Sequence, residues 1–248
     1  MNAYKQGFRQ GELYARDGWF AFKKSADVRD VALTPEIREA ILEQTERPMR
    51  RFLPDREWDA FRKGFHKGHV KKTKTLIRGI LPAAAVKRAP QISVLLDAIK
   101  SAEAIDARTV EGSSRRLRDT FRVTMAGTQS VSTDGGKRGH QAGALVAQED
   151  WVNFEQSYSV EALALTRLDL TEKAFNMSLH YQGNQVHPQA HMDFAGAFEG
   201  SYSARLNEKI KKLVPGELRA WSAHLIELIR ALGLDQPQQP GADLIPIQ

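Results

Sequence analysis

The spacing of apolar positions changes character along the chain. Ile37, Ile41 and Leu42 recur at helical spacing behind Thr34-Pro35, a side-chain cap with proline in the first turn, which predicts a helix start. Pro48 is expected to end or kink that helix. A second start is predicted at Pro54-Asp55, where Trp58, Phe61 and Phe65 follow at i, i+3 and i+7. After a linker-like stretch from Pro82 to Pro90, Ile92, Leu95, Leu96 and Ile99 predict one more short helix to about Ala102.

Beyond Ser113 the period shifts towards two. Phe121, Val123 and Met125 alternate with Arg122, Thr124 and Ala126, and Ala142 to Ala147 are expected to return as the partner strand. Phe175, Met177, Leu179 and Tyr181 alternate in the same way, and after Gly183-Asn184 so do Val186, Ala190, Met192 and Phe194. That pattern predicts a second hairpin, with Pro188 marking an edge or an interruption of pairing. The segment from Glu149 to Thr171 is ambiguous: Trp151, Phe154 and Tyr158 fit one helical face, while Ala162 to Leu165 suit helix or strand. Two helices close the chain. Tyr202, Leu206, Ile210 and Leu213 form one stripe, and Leu218, Trp221, Leu225, Leu228, Ile229 and Leu232 the next, which Gly233 stops. The expected fold class is therefore α+β: a basic helical region over 1–102, a domain over 113–233 with two β-hairpins in a mainly antiparallel sheet of four or five strands and two C-terminal helices, and a flexible tail over 234–248.

Composition narrows the function classes. The 248 residues are 42% hydrophobic and 27% charged, enough to bury a core. Cysteine is absent, which removes disulfides, thiolate metal sites and cysteine nucleophiles from consideration. No apolar run reaches the roughly 20 residues of a membrane-spanning helix, and no secretory leader is apparent, so a cytoplasmic setting is expected.

Charge changes the picture most. Residues 1–100 carry a net +9 and residues 101–248 a net −3. Between Phe61 and Pro90 there are nine cations and no acid, whereas Gln141 to Gly200 carry a net −6. On a helical wheel Lys63, Lys67, Lys71, Lys74 and Arg78 fall within about 80°, roughly opposite Trp58, Phe61 and Phe65. Lys72 would fall on the aromatic side, and Gly64 and Gly68 lower helix propensity, so a break or rotation near Val70 is expected. A merely solvated face mixes charge signs. This one does not, and Arg62, Lys63, Lys67, Lys71, Lys72, Lys74 and Arg78 are read as a phosphate-contacting surface. Arg115, Arg116, Lys137 and Arg138, around a glycine-rich turn, supply a second basic patch; that turn lacks the spacing of a P-loop.

A short echo joins Ala3–Gly11 to Ala60–Gly68 in the pattern A-aromatic-basic-x-G-F-basic-x-G. Glycines beside aromatics at that spacing suit two helices crossing closely.

The leading expectation is a nucleic-acid-binding accessory protein or subunit of a DNA- or RNA-handling complex, with both nucleic acids open, protein partners in a larger assembly and no cofactor. One alternative is a metal-dependent hydrolase or nuclease using His180, His187, His191 and Asp193, which a hairpin would place on one face to hold a divalent metal. A second is a membrane-surface or assembly protein, whose aromatic helix face meets lipid or a partner.

Overall fold

The computed structural model describes residues 2–46, 50–51, 53–109, 134–182 and 188–236. Among the described residues all regular structure is helical and no strand is present, which overturns the α+β expectation. The helices are α1 (Ala3–Ser25), α2 (Pro35–Thr45), α3 (Asp55–Ile80), α4 (Ala83–Val86), α5 (Ala89–Arg108), α6 (Gly135–Ser157), α7 (Arg167–Gln182), α8 (Pro188–Leu213), α9 (Gly216–Arg219) and α10 (Ser222–Ala231), with a 3-10 turn at Val28–Val31.

The chain divides into two compact units, one of residues 1–90 and 217–248, the other of residues 91–216. In the first, α1 and α3 pack along one another, with α2 against α3 and α10 against the 3-10 turn and the end of α1. Thr34 caps α2 as its sequence predicts, accepting from the Ile37 N–H with Pro35 in the first turn. The aromatics of α3 form the core: Trp58, Phe61 and Phe65 pack with Leu42 and Tyr14. Helix α3 runs unbroken from Asp55 to Ile80, so the break expected near Val70 does not occur. Gly64 and Gly68, which weaken it locally, are where α1 comes closest. A methyl group at Gly64 would collide with the Tyr4 carbonyl and one at Gly68 with that of Phe8, while Gly7 and Gly11 on α1 stand in the same relation to Phe61 and Phe65. The echo between residues 3–11 and 60–68 thus marks two helices that meet through each other's glycines, a backbone approach that only hydrogen side chains permit.

The second unit has the same device. Gly139 and Gly143 of α6 lie against the Phe194 and Phe198 carbonyls of α8, and Phe194, Phe198 and Tyr202 stack successively down the seam. Helix α5 contributes Ile92, Leu95 and Leu96 to this interior, and its Asp106 carboxylate accepts from the first N–H of α7 at 3.0 Å. The hairpin expected over residues 175–194 is two helices, α7 and α8, with its proposed turn, residues 183–184, outside the described residues. Phe121 to Met125 also lie outside them, and their expected partner strand, Ala142 to Ala147, is the middle of α6. Alternation over a few residues is compatible with a helix buried on two sides, and Gly135 and Gly139, read as part of a turn, serve helix contact instead.

Candidate functional site

An open cleft of about 1100 Å3 lies between α2 and α3 in the first unit. Pro35, Glu36, Arg38, Glu39, Ala40 and Glu43 form one wall, and Arg62, Lys63, His66, Lys67, Val70, Lys71 and Lys74 the other. The second wall exists because α3 is amphipathic and its aromatic side is committed to the core. Trp58 is 6% exposed and Phe61 and Phe65 are fully buried, so the cationic side is the one α3 turns to solvent.

Glu39 ties the two walls together. Its carboxylate accepts from Arg62 Nε at 2.8 Å and from His66 Nε2 at 2.6 Å. Arg62 is therefore engaged in holding the cleft together. Lys71 sits over the Phe8 ring, 5.4 Å from its centroid. The Lys63, Lys67 and Lys74 ammonium groups form no hydrogen bond or ion pair among the described residues. Of the opposing acids, Glu36 turns back on its own helix start, where its backbone N–H and the Thr34 hydroxyl hold its carboxyl below the usual range. The positive potential of the lysine wall is thus only partly offset.

Beneath the cleft the polar groups are fixed. Arg38, 4% exposed, donates to the Ala32 and Leu33 carbonyls at 3.1 and 2.6 Å. Burial, with smaller contributions from Arg38 and His66, pushes the His69 pKa down to about 4, and its Nδ1 lies 3.3 Å from the Thr73 hydroxyl. A neutral His69 is the form compatible with that surrounding.

The structure brings Arg62, Lys63, Lys67, Lys71 and Lys74 together on the cleft. Lys72 is half-buried on a different side of α3, and Arg78 is exposed near its C-terminal end. Arg115 and Arg116 lie outside the described residues. Lys137 and Arg138 are in the first turn of α6 and not on a hairpin, and Arg138 pairs with Asp134 at 3.0 Å. The residues offered as metal ligands do not share a sheet face. His180 is exposed near the end of α7, and Asp193 is exposed on α8, where it accepts from Gln189. His191 is fully buried, with Nδ1 3.1 Å from the Ser178 hydroxyl. His187 lies outside the described residues. No group of three or more His, Cys, Asp or Glu among the described residues is placed to hold a metal ion.

The acidic wall was missed at the sequence level. Its signal was present, since Glu36, Glu39 and Glu43 follow at i, i+3 and i+7 on the helix that Thr34-Pro35 starts. Also missed was a buried polar cluster in the second unit. Asp150 accepts from both the Lys173 ammonium and the Tyr202 hydroxyl, the latter at 2.6 Å, while Lys173 also donates to the Ala162 carbonyl at 2.8 Å. Burial and the Asp150 carboxylate push the Tyr202 hydroxyl well above its ordinary pKa. No helix among the described residues is long and apolar enough to cross a membrane. The chain matches no known family, no curated protein and no solved structure.

Proposed function

We propose that the chain is a nucleic-acid-binding accessory protein, acting as a subunit of a DNA- or RNA-handling assembly, and that α3 is its phosphate-contacting element. One observation carries this reading: Lys63, Lys67, Lys71 and Lys74 stand in a row along one cleft wall, and none of the four has an anionic partner among the described residues. At 1.5 Å rise per residue, ammonium groups four residues apart follow one another at about 6 Å, and the row covers about 16 Å. A ligand with regularly repeated negative charge uses the whole row, whereas a single small anion engages one or two of its members. Release of counterions from that ligand supplies the driving force. The aromatic side of α3 is in the core, so the lipid-facing alternative loses the apolar surface it required.

The test is a charge reversal. Lys67→Glu, Lys71→Glu and Lys74→Glu together are expected to weaken oligonucleotide binding by roughly 100-fold or more at low salt. Four phosphate contacts give a log–log salt slope of about −3.6 on duplex DNA or about −2.8 on a single strand, and the variant is expected to lose most of it. A folded triple variant with the parent affinity and the parent salt slope would overturn the proposal.

A further inference from the structure

The two units are built from matching halves of the chain. With a spacing of 132 residues and no gap, Gly7, Gly11, Leu13, Ala15, Trp19, Phe22, Ser25 and Val28 correspond to Gly139, Gly143, Leu145, Ala147, Trp151, Phe154, Ser157 and Val160. Ala32-Leu33-Thr34 corresponds to Ala164-Leu165-Thr166, so eleven of the 28 positions from Gly7 to Thr34 are identical. After one added residue the match resumes at a spacing of 133: Phe61, Phe65, Ile77, Pro82 and Leu95 correspond to Phe194, Phe198, Ile210, Pro215 and Leu228.

Geometry follows the same correspondence, which composition alone does not explain. Ala26 and Tyr158, 132 apart, end α1 and α6 with φ of 55° and 58°, a left-handed conformation unusual for either residue type. One residue earlier, the Ser25 and Ser157 hydroxyls donate four residues back and accept from the N–H two residues on. Thr34 and Thr166 each accept from the N–H three residues on. Where Gly68 rests against the Phe8 carbonyl, the matching Ser201 donates to the matching His140 carbonyl at 2.8 Å.

The last helix of each half breaks the sequence order. Helix α5 ends the first half, yet all but its first residues belong to the unit that holds the second half, and α10 ends the second half but belongs to the unit that holds the first. Their seats correspond too. His224 Nε2 lies 3.1 Å from the Lys23 carbonyl, and Gln91 Nε2 donates to the Glu155 carbonyl; 91 and 224 are 133 apart, and 23 and 155 are 132 apart. Leu225, Leu228 and Ile229 fill one interior as Ile92, Leu95 and Leu96 fill the other.

We infer that the chain is a tandem duplication of one helical module, and that each module's final helix is a docking surface whose partner is the other copy of the module. The two copies exchange that helix reciprocally, the arrangement of a domain-swapped dimer closed within a single chain.

Because the chain has no cysteine, four double variants of the full-length protein decide it. Lys23→Cys with His224→Cys, and Glu155→Cys with Gln91→Cys, report the exchanged seats. Lys23→Cys with Gln91→Cys, and Glu155→Cys with His224→Cys, report the seats each helix would take on its own half. Treatment with a short bis-maleimide, followed by tryptic mass spectrometry of the single-chain band, is expected to join the first two pairs at least tenfold more efficiently than the second two. Preferential joining of the second two pairs, equal joining of all four, or joining of the first two only at twice the chain mass would overturn the inference.

Discussion

Where α3 carries Lys63, Lys67, Lys71 and Lys74, the matching positions of α8 hold Gly196, Gly200, Ala204 and Asn207. The α1 and α6 sides of the two buried seams, by contrast, are alike: each sets two glycines against phenylalanine carbonyls of the facing helix. Interiors differ where the seams end. Gly18 presses its backbone against the Asp30 carbonyl, whereas the matching Asp150 gathers Lys173 and Tyr202, and Lys173 donates to Ala162, the residue that matches Asp30. Close packing constrains the seam, because any added atom meets backbone. The solvent side carries no such constraint, and charge can be gained or lost there without cost to the fold. One scaffold therefore carries a row of lysines in the first unit and uncharged residues at the matching positions in the second.

The polar interior of the second unit offers the sharpest way to break this comparison. Asp150→Ala leaves the Lys173 ammonium and Tyr202 hydroxyl without their common acceptor in a largely buried site. It is expected to cost about 3–5 kcal/mol in urea unfolding. A loss below about 1 kcal/mol would mean that the cluster does not hold this unit together.

In the first unit the corresponding liability is an acid one. The folded state holds the His69 pKa at about 4, against an ordinary value of 6.5. The unfolded chain therefore binds the proton more readily. The stability contributed by neutral His69 is complete above about pH 6.5 and is lost as pH falls towards 4, on the order of 3 kcal/mol in all. His69→Gln is expected to flatten that limb. Trp58 fluorescence is expected to report the transition at higher pH than Trp151 fluorescence, each read in a variant retaining only that tryptophan.

The smallest effect on stability is expected at the surface. Gly196 and Gly200 have no atom near the position a Cβ would take, so Gly196→Lys, Gly200→Lys, Ala204→Lys and Asn207→Lys are accommodated. Because glycine is a poor helix former, they are expected to raise stability by about 1 kcal/mol. If the lysine row suffices for phosphate contact, titration calorimetry then shows a second oligonucleotide site per chain. An unchanged stoichiometry would show that Glu39, Arg62 and His66, which shape the first cleft, are needed as well as charge.

How much of this could be read without coordinates is uneven. Thr34-Pro35 names a helix start because cap and proline act within one turn, and the buried side of α3 follows from Trp58, Phe61 and Phe65 for the same local reason. The lysine side was legible as charge on a helical wheel. Misreading came where an element's identity depends on what lies beside it. Phe175 to Tyr181 alternates, yet the buried set on α7 includes Ala174, Phe175 and Ser178, a helical spacing visible only once its neighbours are known. Gly135, Gly136 and Gly139 suggested a turn, although two of the three are buried contact points of a 23-residue helix. The correspondence at a spacing of 132 is present in the sequence but spread thinly over 28 positions, whereas the denser echo of residues 3–11 in 60–68 joins two helices that are partners within one unit.

What the chain determines by itself is the helical faces, the caps that begin them and the cations displayed along α3, since each depends on residues within one or two turns. Tertiary structure alone decides that Glu39 braces the cleft, that Gly135 and Gly139 are seams and not a turn, and that α5 and α10 trade places. Those outcomes depend on surfaces far apart in sequence, and burial of complementary shape, which no local pattern encodes, selects among them.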